Sequence, residues 1–266
     1  MIAGFIFKLF FASGGKWYLT MDRTNWQWGT SDINILTLAV VFKGIAIPLY
    51  WELLDKKGNS DTQERIDIVQ KFIDTFGKEC IAGLFGDREF IGEKWFEWLV
   101  NERITFYMRI KKNLLTTDSH GRTVPVKALF RGLKPTEVLA LYGERKITGQ
   151  TVYLEAMKLL DGELLIIASN DMPGNLITKY AFRWQIETGR KHWGIENSLH
   201  WTLDVTFRED ESRIRKEAAP ENYAIFRHIA LNIIRRNTSI DASIKRKRHM
   251  AALNDDVRAT LIKGLI

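Results

Sequence analysis

Three acidic residues sit in settings suited to divalent cations. Asp22 follows the apolar run Trp17–Met21 and is trailed by Arg-Thr-Asn-Trp26. Asp87 follows Leu84-Phe-Gly86 and is trailed by Arg-Glu-Phe-Ile-Gly92. Glu187 closes the stretch Tyr180-Ala-Phe-Arg183-Trp-Gln-Ile-Glu187. Carboxylate oxygens suit Mg²⁺ or Mn²⁺. Two such ions about 3.5–4 Å apart can activate an attacking oxygen and stabilise a leaving oxygen at phosphorus. The chain carries a net charge of +7, a field that favours an anionic partner. Together these features point to cutting and joining DNA.

Tyr180, Arg183 and Glu187 are spaced i, i+3 and i+7 and share one helix face. Residues 180–191 alone read more simply as a surface helix in which Glu187 pairs with Lys191 at i+4. The settings of Asp22 and Asp87 turn the reading toward a metal site. Arg23 and Arg88 each follow one of the aspartates, where they could touch phosphate or steady the carboxylates. Lys111, Lys112 and the basic run 235–249 suit backbone contacts, although a solvated tail explains the last equally well. Trp26 could stack on an unpaired base or pack in the core. His192 and His200 fit helix-surface or packing roles better than ligation beside hard oxygen donors.

The elements that must position these residues follow from pattern. The runs 17–21, 33–42 and 45–54, joined by tight connections, predict an antiparallel meander. Pro48 places the third strand at an edge or a bulge. Ser60 and Asp61, with Gln63 and Glu64 three residues on, predict a helix start, and Gly77 a helix end. Ile66, Val69, Ile73 and Phe76 recur at helical spacing. A strand over 80–85 then delivers Asp87. A helix over 93–102 turns Trp95, Phe96, Leu99 and Val100 to the core, and a strand over 104–110 follows. This order is that of an RNase H-like α/β fold, a mixed sheet flanked by helices. Residues 111–163 read as a β-rich insertion between the second and third acids. A buried strand over 164–168 and a capped helix start at Asn170-Asp-Met-Pro173 bring the chain to Glu187.

Composition sets the outer bounds. A hydrophobic fraction of 45% with 27% charged residues is that of a globular protein with a sizeable core. One cysteine, Cys80, excludes a disulfide framework and a cysteine-built zinc site within the chain; it reads as a small buried hydrophobe. The apolar stretch Ile2–Phe11 is broken by Lys8 and is too short to span a bilayer of about 30 Å. A cytoplasmic protein without a membrane partner is expected.

The stretches Met21-Asp-Arg-Thr-Asn-Trp26, Lys57-Gly-Asn-Ser60, Gly86-Asp-Arg-Glu-Phe-Ile-Gly92 and Tyr180–Glu187 together resemble bacterial insertion-sequence transposases of the DDE type. More narrowly, they resemble the group marked by a Tyr-Arg-Glu helix signature. From about Arg190 the chain resembles another group, the H-repeat-associated transposases. That likeness runs through His192-Trp-Gly-Ile-Glu196-Asn-Ser-Leu-His200-Trp to Asp210, then Asn222, Ala230-Leu-Asn232 and Lys245-Arg-Lys-Arg248. Arg183–Glu187 and His192–Glu196 look like one element written twice.

The resemblance implies Asp22, Asp87 and Glu187 as metal-binding catalytic residues, with Tyr180 and Arg183 near the DNA backbone. It implies Mg²⁺ or Mn²⁺ as cofactor, transposon ends and target DNA as partners, a homodimer on DNA, and a hairpin intermediate. Glu196 is the alternative third acid. Nine residues separate it from Glu187, which places the two on opposite faces of an unbroken helix at about 100° per residue. The expected divisions are 1–110 and 164–236 for the catalytic core, 111–163 for the insertion and 237–266 for a basic tail. The resembling proteins carry an end-binding region before the first Asp. A truncated or hybrid DNA-binding remnant is therefore the second functional expectation.

Overall fold

In the computed structural model the first three apolar runs form the expected meander: β1 (Trp17–Trp28), β2 (Ser31–Phe42) and β3 (Ile45–Leu53). The structure describes residues 15–28, 31–42, 45–54, 56–187, 213, 223, 226, 227, 230, 231, 233–235 and 237–263. Strand β3 lies at the sheet edge. Its ladder slips between Leu38↔Tyr50 and Ala39↔Pro48. Pro48 thus sits at both an edge and a bulge, where a missing N–H does least harm.

Helix α1 (Thr62–Phe76) carries the chain to β4 (Ile81–Gly86), and α2 (Glu93–Asn101) carries it on to β5 (Phe106–Arg109). These crossovers allow parallel pairing of β4 with β1 and of β5 with β4. The α1 start is the expected capping box. Asp61 accepts from the Glu64 backbone N–H at 3.0 Å, and Glu64 accepts from that of Asp61 at 2.7 Å. The buried face of α1 is Arg65, Ile68, Val69 and Phe72. That face is rotated from the expected 66, 69, 73, 76 stripe because a buried arginine occupies its first turn. Val100 is also corrected: it is 36% exposed at the end of α2, while Trp95, Phe96 and Leu99 are buried. Cys80 is half-buried in a one-turn 3-10 helix, where its thiol approaches the Phe76 carbonyl.

The segment expected as a β-rich insertion builds part of the same sheet. Strands β6 (Leu115–Thr117) and β7 (Thr123–Pro125) pair separately. Strands β8 (Val138–Ile147), β9 (Gln150–Lys158) and β10 (Leu164–Ser169) continue the main one. The order across the eight strands is β3-β2-β1-β4-β5-β10-β9-β8. Strand β8 escaped the sequence reading because it is a mostly exposed edge whose register breaks between Leu141 and Arg145.

Both sheet faces are covered within the 14–186 unit. Phe106 meets Phe96 of α2 on one side, with ring centroids 4.8 Å apart. On the other, Phe85, Tyr107, Leu165 and Ile167 pack against Leu176, Ile177 and Tyr180 of α3 (Leu176–Glu187). Residues 1–13 and 187–266 form a second unit. There, the region read as a basic tail contains α4 (Ile244–Leu253) and α5 (Asp255–Lys263). Lys247 is buried and donates to the Asn237 carbonyl.

Helix α3 does not start at the expected Asn170–Pro173 cap. Asn170 instead bonds the Phe106 N–H and the Ile104 carbonyl, and Asp171 takes the Tyr107 hydroxyl and Lys179. The cap comes from Glu155 on β9, which is 2% exposed. Its carboxylate accepts from the backbone N–H groups of Gly174 at 2.5 Å and of Leu176 and Ile177 at 3.2 Å each. Those donors have no intrahelical acceptor, and the helix dipole favours a negative charge there. Glu155→Ala should therefore destabilise the fold by about 2–4 kcal/mol in urea unfolding. A loss below about 0.5 kcal/mol, ordinary for a surface site, would show that the cap does not hold α3.

Candidate active site

The parallel pairing of β1 with β4 places the two aspartates together. Their register pairs Thr20 with Phe85, and two residues further on each strand are Asp22 and Asp87. Strand β1 continues to Trp28 against β2, so Asp22 is not at a strand end as expected; it pairs with Thr37. Only its β4 side opens, because β4 stops at Gly86. A Cβ on Gly86 would lie 2.5 Å from the Met108 sulfur and 3.1 Å from the Phe90 Cβ, so the buried Met108 side chain would have to shift. Asp87 then turns the chain: its carboxylate takes the Arg88 N–H at 2.6 Å and its carbonyl the Phe90 N–H at 2.9 Å.

Asp22 is crowded by protein yet open on one side. Desolvation pushes its carboxyl above the ordinary 3.8. The Arg183 charge and the Arg23 backbone N–H act against this shift, while the Asp87 charge adds to it and the Arg23 charge opposes it. The side chain nonetheless keeps 66% of its surface exposed, and that accessible surface is what decides whether a ligand can reach it. Two mutually repelling carboxylates with hard oxygen donors fit a divalent cation. Among the described residues no group of three or more His, Cys, Asp or Glu gathers. Glu187 ends α3, but its side chain lies outside the described residues. Glu196, His192, His200 and the Trp26 side chain lie outside them as well.

Tyr180 and Arg183 reach the aspartates from inside the protein. Tyr180 is fully buried, with its hydroxyl 3.5 Å from the Gly86 carbonyl. Arg183 is 4% exposed; it donates to the Tyr180 hydroxyl at 3.3 Å and lies 3.7 Å from the Asp22 carboxylate.

Arg23 is likewise engaged by protein. It forms a forked pair with Glu89 at 2.9–3.1 Å and reaches Asn34 at 3.0 Å and Asn59 at 3.2 Å. Asn34, 2% exposed, also donates to the carbonyls of Lys56 and Gly58. Arg65 binds Ser60 and the Glu89 carbonyl. The sequence reading missed Glu89, Asn34 and Arg65. Their signal was present in the motif neighbours themselves, since a charged residue beside each aspartate needs a partner once buried. Arg88 pairs with Glu163, and Lys111 and Lys112 are exposed beyond β5.

Sheet order and flanking helices define an RNase H-like fold. Among solved structures, the chain is similar to the piggyBac transposase in its synaptic complex with hairpin DNA. That likeness has a TM-score of 0.50 at 12% identity over 94% of this chain and 54% of that one, and it speaks for the fold alone. The family model described as Transposase DDE domain matches residues 21–233, and the chain belongs to that family.

It is also similar to the H repeat-associated protein YhhI of Escherichia coli (strain K12), 40% identical over 75 residues. That stretch is 28% of this chain and 20% of YhhI. YncI of Escherichia coli O157:H7 is 49% identical over 65 residues, 24% of this chain and 17% of that protein. The matched stretches thus span about a fifth of the length of these curated relatives.

The raised Asp22 carboxyl has a sign that can be checked. Between pH 3.8 and the higher folded value, the native state binds more protons than the unfolded one. Stability therefore falls as pH rises through that window, by an amount that solvent screening of the exposed side chain keeps small. In metal-free buffer the Tm of Asp22→Asn relative to wild type should rise as pH increases from 3.8 through that window, on top of a pH-independent loss from the Arg183 partner. A relative Tm that stays flat or falls across the window would contradict this.

Proposed function

We propose that the chain is the catalytic domain of a DNA transposase that performs metal-dependent strand cleavage and strand transfer. The observation that carries the reading is the parallel register that aligns Asp22 with Asp87. Asp22, Asp87 and Glu187 are the metal ligands, with Glu196 as the alternative to Glu187. Mg²⁺ or Mn²⁺ would supply activation of an attacking oxygen and neutralisation of a leaving oxygen. The chain's own residues set the stage. Tyr180 steadies the Gly86 carbonyl, the residue before Asp87. Arg183 neutralises Asp22 from the buried side, leaving its exposed side to the cation and the DNA strand. Arg23 and Glu89 hold β1 beside the turn that follows β4.

Cleavage is attack of water on a phosphodiester, breaking the phosphorus bond to the 3′-oxygen and leaving a 3′-hydroxyl. In transfer that hydroxyl attacks a target phosphodiester and displaces another 3′-oxygen. The partners are transposon-end and target DNA, with a homodimer formed on DNA in the bacterial cytoplasm. Among the described residues no helix is long and apolar enough to cross a membrane.

Supercoiled-plasmid nicking in Mg²⁺ and in Mn²⁺ tests the proposal. Wild type should nick, and Asp22→Asn and Asp87→Asn should each lower the rate about 100-fold or more. Glu187→Gln should do the same while Glu196→Gln leaves activity intact; the reverse pattern assigns the third acid to Glu196. DNA binding without nicking in either metal would leave the chain as a non-catalytic remnant.

A further inference from the structure

Arg109 is the last residue of β5 and is 8% exposed. Strands β4 and β5 pair Phe85 with Tyr107, so Asp87 and Arg109 stand two residues on along neighbouring strands. Thr20↔Phe85 extends the same row to Asp22. A buried arginine therefore continues the line of the two aspartates. Arg109 and Arg88 both pair with Glu163, Arg109 at 3.2 Å. Glu163 sits on the turn between β9 and β10, where Gly162 takes a positive φ of 85° and Asp161 caps the Glu163 N–H at 2.8 Å. Two guanidiniums thus converge on one carboxylate. Their Nε atoms are buried and have no hydrogen-bond partner among the described residues. Lys111 and Lys112, both exposed, extend the positive charge outward.

A carboxylate shared by two arginines occupies the place a phosphate would take, because both anions match the guanidinium fork. We infer that Arg88 and Arg109 form a subsite for a backbone phosphate of the DNA strand beside Asp87, with Glu163 holding that place until DNA displaces it. The inference rests on the proposed function for its ligand. It adds a positioning site and an internal competitor to that reading. Glu163 lowers the affinity for DNA in general and so favours strands that also engage the rest of the site.

The test is fluorescence anisotropy with a duplex oligonucleotide in EDTA across a salt series, which keeps it separate from metal-dependent cleavage. Glu163→Gln lies on a half-exposed turn and removes the competitor while leaving both arginines. It should tighten binding about threefold. Arg88→Gln should weaken binding and reduce the log–log salt slope by about 0.9, one phosphate contact. In the Arg88→Gln background the gain from Glu163→Gln should shrink. An equal gain in both backgrounds would mean a general charge effect and would overturn the subsite. So would unchanged binding by Glu163→Gln, or an unchanged salt slope in Arg88→Gln. If those failures occur while wild type still nicks DNA, the catalytic reading stands and the subsite falls. If the subsite results hold without nicking, the subsite stands and catalysis falls.

Discussion

The site depends first on the ion pair between Arg23 and Glu89. Arg23 follows Asp22 and Glu89 lies two residues past Asp87, so their forked contact ties together the two segments that carry the carboxylates. Like charges on neighbouring strands repel, and the ion pair beside them opposes that repulsion. A mostly buried guanidinium is stable only when its donors are met. Here Asn34 and Asn59 each take a further N–H, and Asn34 in turn holds the 56–58 turn. Arg65 adds a second clasp from α1 to Ser60 and the Glu89 backbone. The three sequence motifs around residues 22, 57–60 and 87–92 are thus one interlocked polar network. They read as separate in the chain because each contributes a different partner to it.

Helix α3 plays the matching part from the other side. Its N-terminus is fixed at β9 by Glu155, Tyr180 lies over Gly86 and Phe85 of β4, and Phe182 stacks on Tyr18 of β1 at 6.0 Å. Arg183 then reaches Asp22. The helix crosses the strands as a beam, and β9 supplies its anchor. A change at Glu155, far along the sheet from Asp22, can therefore loosen the site without touching either carboxylate.

What was legible in the sequence was set by local chemistry. The meander, the Pro48 edge and the Asp61–Glu64 capping box depend on neighbours in the chain, and the structure carries each of them. The place of Asp87 just past β4 followed from its apolar run, whereas the expected strand end at Asp22 did not hold because β1 runs on to Trp28 against β2. What was not legible depends on distant partners. Strand β8 pairs along an exposed edge with little hydrophobic alternation. The cap on α3 comes from Glu155, some 20 residues earlier, so Asn170 and Asp171 were free for other roles. The face of α1 rotated to bury Arg65, because Ser60 and Glu89 lie where its guanidinium ends. Tyr180 and Arg183 were placed on a shared face by spacing, but only the fold shows that this face points inward.

The central claim is that Asp22 on β1 and Asp87 just past β4 hold a divalent cation between them. Titration calorimetry with Mn²⁺ tests it directly and needs no DNA. The account predicts binding by wild type and affinity at least about tenfold weaker in Asp22→Asn and in Asp87→Asn, since hard cations depend on carboxylate charge. Equal Mn²⁺ binding by wild type and both variants would contradict it.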